Sequence, residues 1–79
     1  MVYCDYKSNT ADSVTYAYGG LTSDITGEVV FNFRDGSFDV EKEPTRSSVP
    51  IRHLVWMYQN HKNEFIQGIF RPKLSFESG

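Results

Sequence analysis

Apolar and polar positions alternate through most of the first half of the chain. Residues 2–7 set Val2, Cys4 and Tyr6 against Tyr3, Asp5 and Lys7, and residues 14–18 set Val14, Tyr16 and Tyr18 against Thr15 and Ala17. A period of two places one side-chain set on each face of a strand, so both segments read as half-buried strands. The polar residues 8–13 between them read as a loop. Gly19-Gly20 ends the second strand and leads into a polar loop through Thr22, Ser23 and Asp24.

Residues 28–42 carry the strongest local signal. Asp35-Gly36 lies between two alternating runs, which predicts a hairpin with a two-residue turn. That register sets Phe33 opposite Phe38 and Phe31 opposite Val40. It gathers Phe31, Phe33, Phe38 and Val40 on one face, and Asn32, Arg34, Asp39 and Glu41 on the other.

After Glu43-Pro44 the period changes. Ser47 or Ser48 can cap a helix, and Pro50 suits its first turn. On a helical wheel Ile51, Leu54, Val55 and Tyr58 fall within an arc of ~100°. The helix is expected to reach about residue 62. Residues 64–70, rich in β-branched and aromatic side chains, then read as a strand. The competing reading is one helix to about Phe70, since Phe65 and Ile69 fall back on the arc. Against it stand Asn60 to Asn63, which favour helix poorly, Lys62 in the middle of the arc, and Gly68. Pro72 ends either version, and the tail through Leu74 and Phe76 can add a short edge strand. The expected fold class is therefore α+β: a small antiparallel sheet of about four strands with one helix packed across one face, in a single domain over residues 1–79.

Composition narrows the function classes. The chain is 39% hydrophobic, 15% aromatic and 23% charged, which excludes intrinsic disorder. The net charge of −2 divides unevenly: residues 1–44 hold eight acids against three bases, and residues 45–79 hold five bases against two acids. Such a split can orient a molecule toward a charged partner. Cys4 is alone and cannot form an internal disulfide, and no apolar run is long enough for a signal segment or a bilayer span. The expectation is a cytoplasmic protein.

The chain lacks phosphate-loop, nucleophile-elbow, Cys-x-x-Cys and His-Glu-x-x-His patterns. His53 and His61, eight apart, differ on one helix by ~80° in direction and ~12 Å in height, so no single metal bridges them. Asp39 and Glu41 share the flat polar face of the hairpin, where paired-carboxylate chemistry has no cleft. No catalytic residue, cofactor or metal ligand is expected. The residue that stands out is Trp56. It lies ~160° from the centre of the apolar arc, flanked by Arg52, Gln59 and Asn63. Tryptophan and arginine are the side chains most enriched as interface anchors. The favoured function is a non-enzymatic protein-interaction or self-associating module using the outward helix face. The alternative is a nucleic-acid-binding module using Arg46, Arg52, Lys62, Arg71 and Lys73 of the basic half.

Overall fold

The computed structural model of the protein describes residues 1–77. The alternating segments form strands β1 (Val2–Asn9), β2 (Val14–Gly19), β3 (Gly27–Asn32) and β4 (Ser37–Lys42). A helix α1 (Ile51–Ile66) and a short strand β5 (Lys73–Phe76) follow. The five strands make one sheet in the order β4-β3-β2-β1-β5, with every neighbouring pair antiparallel. The first four strands form a meander, and α1 carries the chain back across one face so that β5 pairs with β1. The fold is α+β, with five strands where about four were expected.

The inward set of each strand is the one that alternation selects, except that Tyr6, expected beside Val2 and Cys4, is exposed where β1 shifts register against β2. Val2, Cys4, Val14, Tyr16, Tyr18, Val29, Phe31 and Leu74 are buried, and they meet Leu54, Met57, Tyr58 and Phe65 of α1. Aromatic rings fill the middle: Phe31 lies 4.7 Å from Tyr58 and 5.8 Å from Phe65, and Tyr16 lies 6.0 Å from Phe65. Tilted and stacked contacts at these distances exclude water and add ring–ring attraction.

The hairpin register differs from the expected one by two residues. Phe31 faces Phe38, Val29 faces Val40 and Asn32 faces Ser37, so the loop is the four residues Phe33 to Gly36. A shift of two preserves which face each side chain occupies, so Phe31, Phe38 and Val40 still share the helix side. Hydrogen bonds within the longer loop hold it. The Gly36 N–H donates to the Asn32 carbonyl at 3.0 Å, and Asp35 Oδ1 accepts from the Ser37 N–H at 2.8 Å and its hydroxyl at 2.7 Å. Release from the strand lets Phe33 bury its ring against Phe70 at 6.0 Å, with the Arg34 guanidinium over the Phe33 ring at 5.6 Å.

The second correction concerns residues 60–70. The helix runs through Asn60–Asn63 to Ile66, and no strand forms over 64–70. Packing decides it: Phe65 is 1% exposed, among the rings of Tyr16, Phe31, Tyr58 and Phe70, and this outweighs the weak propensities before it. Lys62 carries its charge along the molecule to the hairpin tip, where its Nζ would stand 3.3 Å from a Cβ built at Gly36. Gly68 is the C-terminal stop. Its φ is +81°, its N–H donates to the Phe65 carbonyl at 3.0 Å, and the Ile69 N–H donates to the Glu64 carbonyl at 2.8 Å. That is the double-bonded glycine cap of a helix end.

The buried face of α1 is also rotated. Its buried residues are His53, Leu54, Met57, Tyr58 and Phe65, while Ile51 is 58% exposed. The face turns by roughly 70° from the expected arc. Met57 moves inward with it and accepts a weak hydrogen bond from the Cys4 thiol at 3.4 Å. The expected serine cap is absent: Pro50 occupies the cap position with no side-chain bond, and Ser47 is engaged elsewhere.

Gly68 tests the account of the helix end. Nothing lies within 4 Å of a Cβ built there, so the cost of a side chain is backbone strain alone. Gly68→Ala is expected to lower unfolding free energy by about 1 kcal/mol, and Gly68→Asn by less. Urea denaturation measures both, and equal stability of Gly68→Ala and wild type contradicts the cap.

Candidate interaction face and the polar groups around it

The outer side of α1 carries Arg52, Trp56, Gln59 and Asn63, all exposed. Trp56 lies roughly 140° from the centre of the observed buried face, so the rotation of the helix leaves it pointing outward. The residue is 41% exposed. One side rests on His53 at 5.9 Å and on Phe76 of β5 at 5.7 Å. The C-terminal strand thus covers part of the indole and leaves the rest to solvent. Phe76 was not among the expected site residues. Its only mark in the sequence is its place in a short alternating tail.

His53 sits beneath Trp56 and is 6% exposed. Its Nδ1 accepts from the Met1 amine at 3.0 Å. Burial, then the amine charge, then Arg52 push the imidazole below its ordinary value, so it is neutral near pH 7. His61 belongs to a different cluster. Its Nδ1 lies 3.0 Å from Glu64 Oε1, and the Arg71 guanidinium grips the same carboxylate with contacts of 2.7, 3.1 and 3.2 Å. Arg71, then His61, hold Glu64 down to about 2. Burial, reinforced by Asp5, pushes the Cys4 thiol up to about 12, so it stays protonated and unreactive. Among the described residues no three His, Cys, Asp or Glu side chains gather as metal ligands.

The five cations of the basic half do not form one patch. Arg46 donates to the Ser23 carbonyl and stands 4.0 Å from Asp24; Arg71 is bound to Glu64, and Lys73 to Asp5 at 3.0 Å. Lys62 reaches the β3–β4 tip, whereas Lys73 lies on β5 at the opposite edge of the sheet.

Asp24 is the polar residue that sequence reading missed. It is fully buried, although it comes from a loop that reads as exposed. Its carboxylate accepts from the Thr26 hydroxyl at 2.8 Å, the Thr45 hydroxyl at 3.1 Å, and the Arg46 and Ser47 N–H groups at 2.9 and 2.6 Å. The Ser47 hydroxyl adds a fifth bond at 2.8 Å. The Ser47 hydroxyl contributes most to holding Asp24 well below the ordinary carboxylate range; burial opposes it and is outweighed. The backbone closes tightly around the group. A Cβ built on Gly19 would lie 1.8 Å from the Asp24 carbonyl oxygen, so only glycine fits there. These bonds tie the β2–β3 loop to the segment that enters α1.

No family model, no curated protein and no solved structure matches the chain. Among the described residues no helix is long and apolar enough to cross a membrane.

Asp24 and Glu64 together give the acid limb of stability. Both carboxylates are held below their unfolded values, so their contribution is complete above about pH 5 and fades as pH falls through the folded values. With His53 held neutral in the fold, the melting temperature is expected to begin falling at about pH 6.5 and to decline further from about pH 5 to about pH 2. Asp24→Asn leaves clustered donors facing an amide, and should lower the melting temperature at neutral pH by at least about 5 °C while flattening the acid limb. Calorimetry across pH measures both. An unchanged neutral melting temperature contradicts the role assigned to Asp24.

Proposed function

We propose that the protein is a non-enzymatic module that acts by contact, through protein interaction or self-association. Its surface is the outer face of α1, with Trp56 at the centre and Arg52, Gln59 and Asn63 around it. The observation that carries the reading is the indole itself. It is the largest side chain in the protein, and Trp56 is 41% exposed on a face where no hydrogen bond or ion pair among the described residues engages the side chains of its three polar neighbours. Burying such a ring against a partner removes apolar area from water and orders little that is not already held by His53 and Phe76.

The titratable groups support a module without chemistry of its own. Each strongly perturbed group has a structural cause: burial for Cys4 and Tyr16, an ion pair for Glu64, a closed shell of donors for Asp24. The cytoplasm is the proposed compartment, since the lone thiol is built into the core and cross-links nothing. The nucleic-acid reading draws no support from the arrangement of its cations, three of which are committed to carboxylates.

At low protein concentration, Trp56 fluorescence should be quenched readily by acrylamide, and quenching should fall as the surface becomes occupied. Trp56→Ala should keep the circular dichroism of the fold and weaken association by about tenfold. Sedimentation measures the association. An indole already shielded from quencher in the monomer, or association unaltered by Trp56→Ala, contradicts this function.

A further inference from the structure

We propose that the occupant of this surface is a second copy of the same chain, joined through the outer edge of β5 so that two sheets become one. The inference rests on the reading of Trp56 as an interaction face and adds the partner and its register.

The two sheet edges are built differently. An open edge presents unpaired backbone groups that template further strands, and proteins guard such edges. β4 is guarded: its pairing with β3 is interrupted by a bulge, and the acids Asp39, Glu41 and Glu43 project along it. β5 has no bulge, and its only charge within the strand, Lys73, contacts Asp5 of β1 at 3.0 Å while staying largely in solvent, where it can meet a second carboxylate. Open depressions of about 500 and 340 Å³ flank β5, the first between it and α1 and the second walled by Thr22 and Ile25 of the β2–β3 loop, and among the described residues β1 is the one strand paired with it.

The direction of the unpaired groups follows from one hydrogen bond. The Pro72 carbonyl accepts from the Tyr6 N–H at 2.9 Å, so Pro72 turns its backbone toward β1. Antiparallel pairing alternates, so Leu74 and Phe76 also turn toward β1, while Lys73 and Ser75 turn their N–H and C=O groups outward. A two-fold axis through Ser75, normal to the sheet, then sets Ser75 opposite Ser75 of the second copy with both hydrogen bonds exchanged. It sets Lys73 opposite Glu77 of the second copy, and Leu74 opposite Phe76. The apolar pair lies on the helix side and the opposite charges on the open side, so the edge is complementary to itself in charge and polarity.

The same axis keeps both helices on one face. α1 packs against β5. Trp56 already lies over Phe76, so it stands at the seam, where the second copy covers the side of the ring now in solvent. The edge is short, so the expected dimer is weak, with dissociation in the micromolar range or above.

Analytical ultracentrifugation of the full chain from about 10 μM to about 1 mM tests this. Ser75→Pro removes an outward N–H while leaving the groups that bond β1, and should weaken dimerisation by about tenfold. Glu77→Lys, which sets lysine opposite Lys73, should weaken it similarly, and adding Lys73→Glu together with Asp5→Lys, which keeps an ion pair between β1 and β5, should restore it. Circular dichroism of each variant confirms the fold. If Trp56→Ala weakens the dimer while Ser75→Pro and Glu77→Lys do not, edge pairing is overturned and the helix face stands as the contact. A chain that stays monomeric throughout overturns the second copy as occupant. An acrylamide-accessible Trp56 in that monomer leaves the reading of the face intact, and a shielded one ends both.

Discussion

The buried carboxylate of Asp24 is the constraint on which the arrangement of this protein turns. A charged group in the interior is tolerated only when its lone pairs are met by donors. Five donors meet it, drawn from Thr26, Thr45, Arg46 and Ser47. Three of those residues lie in the connection between β4 and α1, so the carboxylate fixes where that connection crosses the end of the sheet. The helix has no side-chain cap and no acidic residue in its first turn to set its own start. Its entry point is set from outside, by the loop that Asp24 holds.

The remainder follows in order. With its start fixed and its end closed at Gly68, α1 is laid across the sheet in one orientation. In that orientation Met57 meets Cys4, Tyr58 and Phe65 meet Phe31, and the opposite side presents Trp56. The chain then turns at Pro72 to add β5 beside β1, which brings Phe76 under the indole. The candidate surface is therefore a joint product of the helix and the last strand. Neither element carries it alone.

The strands were readable because alternation is a local property, and Val14, Tyr16 and Tyr18 are buried where the pattern puts them. The hairpin faces were readable for the same reason. Its register was not, because Asp35-Gly36 suits a two-residue turn as well as the end of a longer loop. What decides between them is the burial of Phe33 against Phe70, a residue 37 positions away. Gly68 was weighed as a weak residue in a helix interior, but as the residue just past the end it stabilises the terminus. Asp24 left no mark, since Thr45, Arg46 and Ser47 are more than 20 positions away and a Ser-Asp loop ordinarily faces water. The outward direction of Trp56 was readable despite the rotated arc, because it lies far from the centre of both the expected and the observed buried faces; how far the C-terminal tail covers the ring was not, because that depends on where β5 docks.

Amide hydrogen exchange at Arg46 and Ser47 tests the role of Asp24 most directly. These two N–H groups lie in a connection with no regular structure, and their protection rests on the carboxylate. The account predicts that they exchange as slowly as the amides of β2 and β3, through opening of the whole domain. Exchange of both at the rate of an unprotected loop, with the sheet still closed, would contradict it.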